Sequence, residues 1–157
     1  MNKNKSFLVY LFLISIVITL DQALKRWASC ALQGGHDVSV NSWLNFSLAS
    51  NRGISWGLLN FQADSLYFVL TCFIVLVISG FFVYSIIQHI NRILVYFESL
   101  VIGGAISNVI DRINHGYVID FIDLHICSLH WPTFNVADIF IVVGVVGMLI
   151  NSLYKKS

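Results

Sequence analysis

One stretch, from Ser65 to Ile87, contains neither a charge nor a proline, and it decides which solvent this chain folds in. A helix rising 1.5 Å per residue crosses a hydrocarbon core of about 30 Å in about 20 residues. The stretch reaches that length. Its single glycine, Gly80, is tolerable in a packed membrane helix. Three further runs approach the same length, at residues 7–24, 93–110 and 137–154. Only 11% of the chain is charged and 57% is apolar, whereas a soluble domain carries about 25% charge. Those proportions exclude disorder and a water-facing globule. They predict an all-α membrane protein, a single domain over residues 1–157 with four transmembrane helices.

Basic residues that flank short loops stay in the cytoplasm. Lys3, Lys5, Arg92, Lys155 and Lys156 fall on one side of the four runs, and Lys25, Arg26, Arg52 and Arg112 on the other. Four spans put both termini together, and the terminal lysines place them in the cytoplasm. Among the acids, Glu98 alone falls on that side, while Asp21, Asp37, Asp64, Asp111, Asp120, Asp123 and Asp138 lie outside or at the outer ends of spans. Trp27, Trp43, Trp56 and Trp131 map to the same outer face, where amphipathic rings favour the headgroup layer. A net charge of +1 without a basic run leaves no footprint for nucleic acid. The first run also has the outline of a cleavable signal peptide, with Trp27-Ala28-Ser29-Cys30 as a processing site. Asp21, Lys25 and Arg26 put charge where such a cleavage region has none.

The outer connection, approximately residues 36–60, is too long for a turn. Its apolar positions Val38, Val40, Leu44, Phe46 and Leu48 recur with a period near two, which predicts a pair of half-buried strands turning at Asn41-Ser42. Asn51-Arg52-Gly53 is then the loop of a small outer sheet. Cys30, Cys72 and Cys127 form no C-x-x-C pair and read as apolar filler. The histidines are scattered and read as surface or interfacial side chains.

Ionisable groups at membrane depth cost roughly 2.5–3.5 kcal/mol each on insertion scales, so they need a reason to be there. The third run ends Gly103-Gly104-Ala105-Ile106-Ser107-Asn108-Val109-Ile110-Asp111-Arg112. Gly104, Asn108, Asp111 and Arg112 are spaced to share one helical face, the glycine letting a neighbour approach. A flexible connection, Tyr117 to Asp123, is expected next. Asn135 is placed to cap the fourth helix, with Asp138 in the first turn where the helix dipole favours a carboxylate. Asp21 and Lys25, one turn apart, read as a local ion pair. Two carboxyls held close share a proton, so one serves as a base toward water and the other as an acid. Spacing does not decide which acids pair.

Four blocks follow one another: Asp21-Gln22 with Lys25; Asn51-x-Gly53-x-x-Trp56-Gly57; Asn108-x-x-Asp111-Arg112 followed by Val118-Ile119-Asp120-Phe121; and Phe134-Asn135-x-Ala137-Asp138. In these the chain resembles, over essentially its whole length, the bacterial lipoprotein signal peptidases, or signal peptidase II. The resemblance implies an aspartic endopeptidase of the bacterial cytoplasmic membrane, active as a monomer without metal or cofactor. Its substrates would be prolipoproteins, cut just before a diacylglyceryl-modified cysteine, and membrane lipid would be its other partner. It implies Asp120 and Asp138 as the catalytic pair. Asn51, Gly53, Asn108, Arg112 and Asn135 would contact the substrate, with Asp21, Lys25, Gly104, Asp111 and Ala137 in support. Two positions depart from the family pattern: Ser107 replaces a usual glycine, and Ile54-Ser55 replace two alanines. They bear on packing and substrate handling.

Two other functions fit parts of the sequence. Asp120-x-x-Asp123 with Asp138 or Asp111 could hold a divalent metal, as in a transferase acting on lipid head groups. Such a transferase would carry its acids on the cytoplasmic face, whereas these point outward. A small channel or assembly protein would use buried acids as a proton path, and leaves Asn135-x-Ala137-Asp138 unexplained. Gly144-x-x-Gly147 predicts close helix packing.

Overall fold

The computed structural model describes residues 3–53, 63–91 and 95–154. Four helices, α1 (Lys3–Ala31), α2 (Asp64–Ile90), α3 (Tyr96–His115) and α4 (Val136–Tyr154), carry four strands, β1 (Val38–Asn41), β2 (Leu44–Asn51), β3 (Val118–Ile126) and β4 (Leu129–His130). Among the described residues α1, α2 and α4 are long and apolar enough to cross a membrane. Much of their apolar surface faces outward, including Phe12, Phe68, Leu76, Val142 and Leu153. The fourth expected span, α3, is different. It has 20 residues but carries Glu98, Ser99, Ser107, Asp111 and Arg112, all buried. It packs against α1, α2 and α4, so these polar side chains face protein.

Close approach to α3 depends on two consecutive glycines that serve different neighbours, because successive helical residues point about 100° apart. A Cβ at Gly103 would meet the Val17 side chain of α1 at 2.9 Å, and one at Gly104 would meet the Ala137 carbonyl oxygen of α4 at 2.5 Å. Gly144 and Gly147 open α4 in turn to Phe97 of α3. The helix stops at Gly116, whose φ of 75° is the left-handed conformation that glycine adopts without strain, and whose N–H donates to the Arg112 carbonyl.

The sheet is antiparallel in the order β1-β2-β3-β4. Its first hairpin turns at Ser42-Trp43, one residue later than the alternation predicts, with Asn41 Oδ1 accepting from the Trp43 N–H at 2.9 Å. Only β2 is half-buried; β1 is exposed along its length. A larger departure is β3. Residues expected as a flexible connection form an inner strand, buried from Val118 to Phe121. The run Val118-Ile119-Asp120-Phe121-Ile122 is β-branched and aromatic apart from its acid, and a strand covered on both faces needs no polar alternation. Between Phe46 and Ala49 the register on β2 gains a residue relative to β3, a bulge that re-aims side chains locally.

On the opposite edge, Ile122 and Phe134 exchange backbone hydrogen bonds of 2.9 and 3.1 Å. Because α4 begins two residues later, β3 and the start of α4 form one corner. Trp27 meets Phe46 and Phe121 edge-on and joins α1 to that corner. Contrary to expectation, Cys30, Cys72 and Cys127 are free and exposed rather than filler, and His89 is buried beside Phe7. Ile54-Ser55, Trp56-Gly57 and the remainder of the expected outer region to residue 60 lie outside the described residues. So do the side chains of Lys3, Lys5, Arg92, Lys155 and Lys156, on which the orientation argument rests.

Gly104→Ala forces a methyl group onto backbone and is expected to cost about 1–3 kcal/mol. Gly80→Ala, with nothing within 4 Å of the added carbon, should leave stability unchanged or slightly higher. Thermal unfolding of both variants in detergent checks the contact; equal midpoints would refute it.

Candidate active site

The site is assembled on a buried cation. Lys25 is 1% exposed, and an ammonium has three hydrogens to place. They go to Asp21 Oδ2 at 2.7 Å, Asp111 Oδ2 at 2.8 Å and Asn108 Oδ1 at 2.8 Å. The two carboxylates are held from other elements as well. Asp21 accepts the Ala137 N–H of α4 at 2.8 Å and the Ser107 hydroxyl at 2.7 Å. Asp111 accepts the Gln22 amide at 2.8 Å and the Ile119 N–H of β3 at 3.1 Å. Charges removed from water persist only with this degree of pairing and hydrogen bonding. Gln22 belongs to the first sequence block but was not among the expected site residues; its polarity inside an apolar run was the available signal. Ser107, the departure from the family pattern, supplies a donor where glycine has none.

From the cation the network passes to two further acids. Asn108 has its Oδ1 fixed by Lys25, so its Nδ2 faces Asp138 and donates to Oδ1 at 2.9 Å. Asn135 caps α4 through Oδ1, which accepts the Asp138 N–H at 3.0 Å, while Asp138 Oδ2 accepts the Asn135 N–H at 3.3 Å. This reciprocal pair is a capping box with aspartate in place of the usual glutamate. Asn135 Nδ2 then donates to Asp120 Oδ1 at 2.7 Å and also approaches Asn108 Oδ1 at 3.1 Å. One fully buried asparagine therefore binds both Asp120 and Asp138. The second Asp120 oxygen accepts Asn51 Nδ2 at 2.9 Å. Asn51 is the last residue of β2 rather than part of the loop, and its Oδ1 accepts the Gly53 N–H at 2.8 Å. The Gly53 carbonyl accepts from Arg112, whose guanidinium lies over the Tyr67 ring.

Asp120, Asp138, Asn51, Asn108 and Asn135 are thus brought together, with Asp21, Lys25, Asp111, Gly104 and Ala137 behind them. Gly53 and Arg112 are joined to each other beside Asn51. Asp123 goes elsewhere. Three residues along a strand from Asp120, it points to the opposite face and accepts from Asn45 at 3.1 Å and His130 at 2.9 Å. His125 pairs with His130 across the last hairpin, their rings stacked at 5.1 Å. Among the described residues no group of three His, Cys, Asp or Glu side chains is arranged to hold a metal ion.

These surroundings set the two acids of β3 apart. Burial, and then the neighbouring Asp138 charge, push Asp120 up to about 7 against the opposing pull of Asn51, Asn135 and Lys25. Burial also acts to raise Asp123, but hydrogen bonds from His130 and Asn45 and the charge on His130 hold it below the usual carboxylate range. Asp120 therefore keeps its proton to far higher pH than an ordinary carboxyl and is close to half protonated at neutral pH, whereas Asp123 is ionised there.

The family model for Signal peptidase (SPase) II matches residues 13–154. The chain belongs to the signal peptidase II family. It is therefore an aspartic peptidase and an integral membrane protein. A lipoprotein signal peptidase of Thermodesulfovibrio yellowstonii is 38% identical over 142 residues, covering 90% of this chain and 92% of the relative. That of Francisella tularensis subsp. novicida is 35% identical over 99% of this chain and 98% of its own length. Among solved structures, a bacterial membrane enzyme determined by the in meso method superposes with a TM-score of 0.73 at 28% identity. The match covers 95% of this signal peptidase II chain and 90% of that one.

Lys25→Met removes the cation from between two buried carboxylates and is expected to cost this signal peptidase about 3–5 kcal/mol. Its unfolding midpoint in detergent is the readout. An unchanged midpoint would show that Asp21 and Asp111 do not depend on Lys25.

Proposed function

We propose that Asp120 and Asp138 cleave prolipoproteins by activating one water between them, just before a cysteine that carries diacylglyceryl. The observation that carries this reading is Asn135, which binds the side chain of one acid and the backbone and carboxylate of the other. It holds two carboxyls at one place without contributing a titrating group. The relatives named above are lipoprotein signal peptidases, which supports the substrate class. The buried polar face of α3 supports a fourth span, since its ionisable groups meet protein rather than lipid. On the proposed topology both termini are cytoplasmic, the site lies at the outer face of the cytoplasmic membrane, and one chain is the working unit.

In the resting enzyme Asp120 keeps the proton that the pair shares. Deprotonated Asp138 takes a proton from water as its oxygen attacks the scissile carbonyl, and Asp120 gives its proton to the carbonyl oxygen. The tetrahedral intermediate collapses when Asp138 passes its proton to the leaving amine, and Asp120 regains its own from the intermediate's hydroxyl. No covalent adduct with the enzyme forms. Asn51, Asn108 and Asn135 keep the acids in place and, with Gly53 and Arg112, offer hydrogen bonds to an extended substrate backbone.

Asp120→Asn and Asp138→Asn should each lower kcat by about 10²-fold or more, measured with purified enzyme and a diacylglyceryl-modified precursor. The unmodified twin should remain uncut, and a chelator should leave cleavage unchanged. Substantial turnover by both variants would defeat the assignment.

The pH profile gives an independent test. Raising the pH through about 7 ionises Asp120 and removes the proton donor, so activity falls across that range. Asn51 favours the ionised form, so Asn51→Ala moves the fall to higher pH. A shift in the opposite direction would contradict Asp120 as the donor.

A further inference from the structure

One aromatic ring outside the four sequence blocks reaches the candidate site. Tyr67 lies in the first turn of α2 and is buried, in a helix most of whose large apolar side chains face outward. Two guanidinium groups lie over its ring, that of Arg52 at 5.0 Å and that of Arg112 at 5.6 Å from the centroid. Arg52 is also paired with Asp64, three residues before Tyr67 and so on the same face of α2. Arg112 differs. It is buried, and among the described residues it forms no ion pair with a carboxylate. Its charge is met by the Gly53 carbonyl and by the Tyr67 ring. The negative face of an aromatic ring attracts a cation, and most strongly one that has left water.

Arg52 and Gly53 are consecutive, so one ring holds the end of β2 twice. It does so directly through the Arg52 side chain, and again through Arg112, which donates to the Gly53 carbonyl. The Gly53 N–H in turn anchors Asn51 Oδ1, which aims Asn51 Nδ2 at Asp120. A chain of contacts therefore runs from α2 to the acid on β3. The Tyr67 hydroxyl contributes little to it, reaching the Arg112 carbonyl oxygen only at 3.5 Å, the outer limit of a hydrogen bond. The ring face is the working part.

We propose that Tyr67 is a positioning residue for the peptidase reaction: the negative face of its ring sets Arg112 and residues 51–53 in place against the substrate backbone and Asp120. The proposal rests on the function proposed above, in which Arg112 and Gly53 meet the substrate. A ring that only filled space could be exchanged for any ring of similar size. One that attracts two guanidinium groups could not, because fluorine withdraws electron density and reverses the potential on the ring face.

The test compares full-length enzymes carrying Tyr67, Tyr67→Phe, pentafluorophenylalanine at position 67 and Tyr67→Leu, with the diacylglyceryl-modified precursor across the pH range. Tyr67→Phe keeps the negative face and should hold KM within about twofold, whereas pentafluorophenylalanine and Tyr67→Leu should raise it about tenfold, with kcat below the alkaline fall changing less. Those two variants should also move the fall to higher pH, as Asn51→Ala does, because Asn51 is no longer aimed at Asp120 while Asp138, Asn135 and Lys25 still act on it. In an enzyme already carrying Asn51→Ala, Tyr67→Leu should move the fall no further, since the two act on one contact. Phe68→Leu, at an outward-facing neighbour, should alter neither quantity. Equal KM for Tyr67→Phe and pentafluorophenylalanine, or a fall that stays in place or moves to lower pH in the fluorinated enzyme, would overturn the proposal. The fluorinated ring nearly keeps its size, so it decides the matter even where Tyr67→Leu does not fold. With the unsubstituted enzyme cutting the precursor, these failures leave the proposed function standing; its failure to cut would remove both.

Discussion

Everything at the end of the bundle that carries the sheet depends on the ammonium of Lys25. An unpaired charge in a dry interior costs several kcal/mol even after relaxation, and Lys25 avoids that cost only because three acceptors from α1 and α3 surround it. One cation faces two carboxylates, so the excess negative charge needs neutral donors. They come from Gln22, Ser107, and the backbone N–H groups of Ala137 and Ile119. Those backbone donors belong to α4 and β3, the two elements that carry Asp138 and Asp120. The ion pairs therefore help fix the positions of Asp120 and Asp138, the pair proposed as catalytic, although neither acid takes part in them.

The groups that touch the acids directly share one design. Asn51, Asn108 and Asn135 each anchor the amide oxygen on a fixed donor: the Gly53 N–H, the Lys25 ammonium and the Asp138 N–H. Each turns its NH₂ toward a carboxylate. Because an amide has distinct donor and acceptor ends, anchoring one end orients the other. An amide also does not titrate. A histidine at any of the three positions would compete for the shared proton, and a further carboxylate would add repulsion to a pair already crowded with negative charge. Asp123 shows the alternative on the same strand, where a histidine partner holds an acid ionised.

Local sequence carried the features that depend on local geometry. The apolar runs located α1, α2 and α4 because hydrophobic thickness is a length, and the four-residue spacing from Gly104 to Asn108 marked a face of α3. Asn135 and Asp138 revealed a cap because both partners lie within one turn. Strand β3 was hidden: its acids drew attention to chemistry, and a strand buried on both faces lacks the alternation that identified β2. The contacts from Lys25 to Asn108 and from Asn51 to Asp120 join residues far apart in the chain. No local periodicity encodes such pairs, so they become visible only in three dimensions.

The same burial that raises Asp120 also limits the conditions in which the fold is comfortable. Its ordinary value is 3.8 and its value in the folded chain about 7. A carboxyl raised on folding contributes its full stability below the lower figure and loses it as the pH rises through the higher one. At 1.36 kcal/mol per unit, ionising Asp120 in place costs about 4 kcal/mol. That is a large part of the stability of a typical domain, concentrated on one side chain. The corner made by β3 and α4 withstands it because its hold on Asp120 does not depend on that proton. The Ile122–Phe134 bridge, the Asn135 Oδ1 cap on the Asp138 N–H and the packing of Trp27 on Phe121 are all made without the Asp120 carboxyl. The burial of the acid and the cohesion of the corner thus involve different atoms of the same strand, so an acid can sit unfavourably there while the backbone and ring contacts around it are made by other groups.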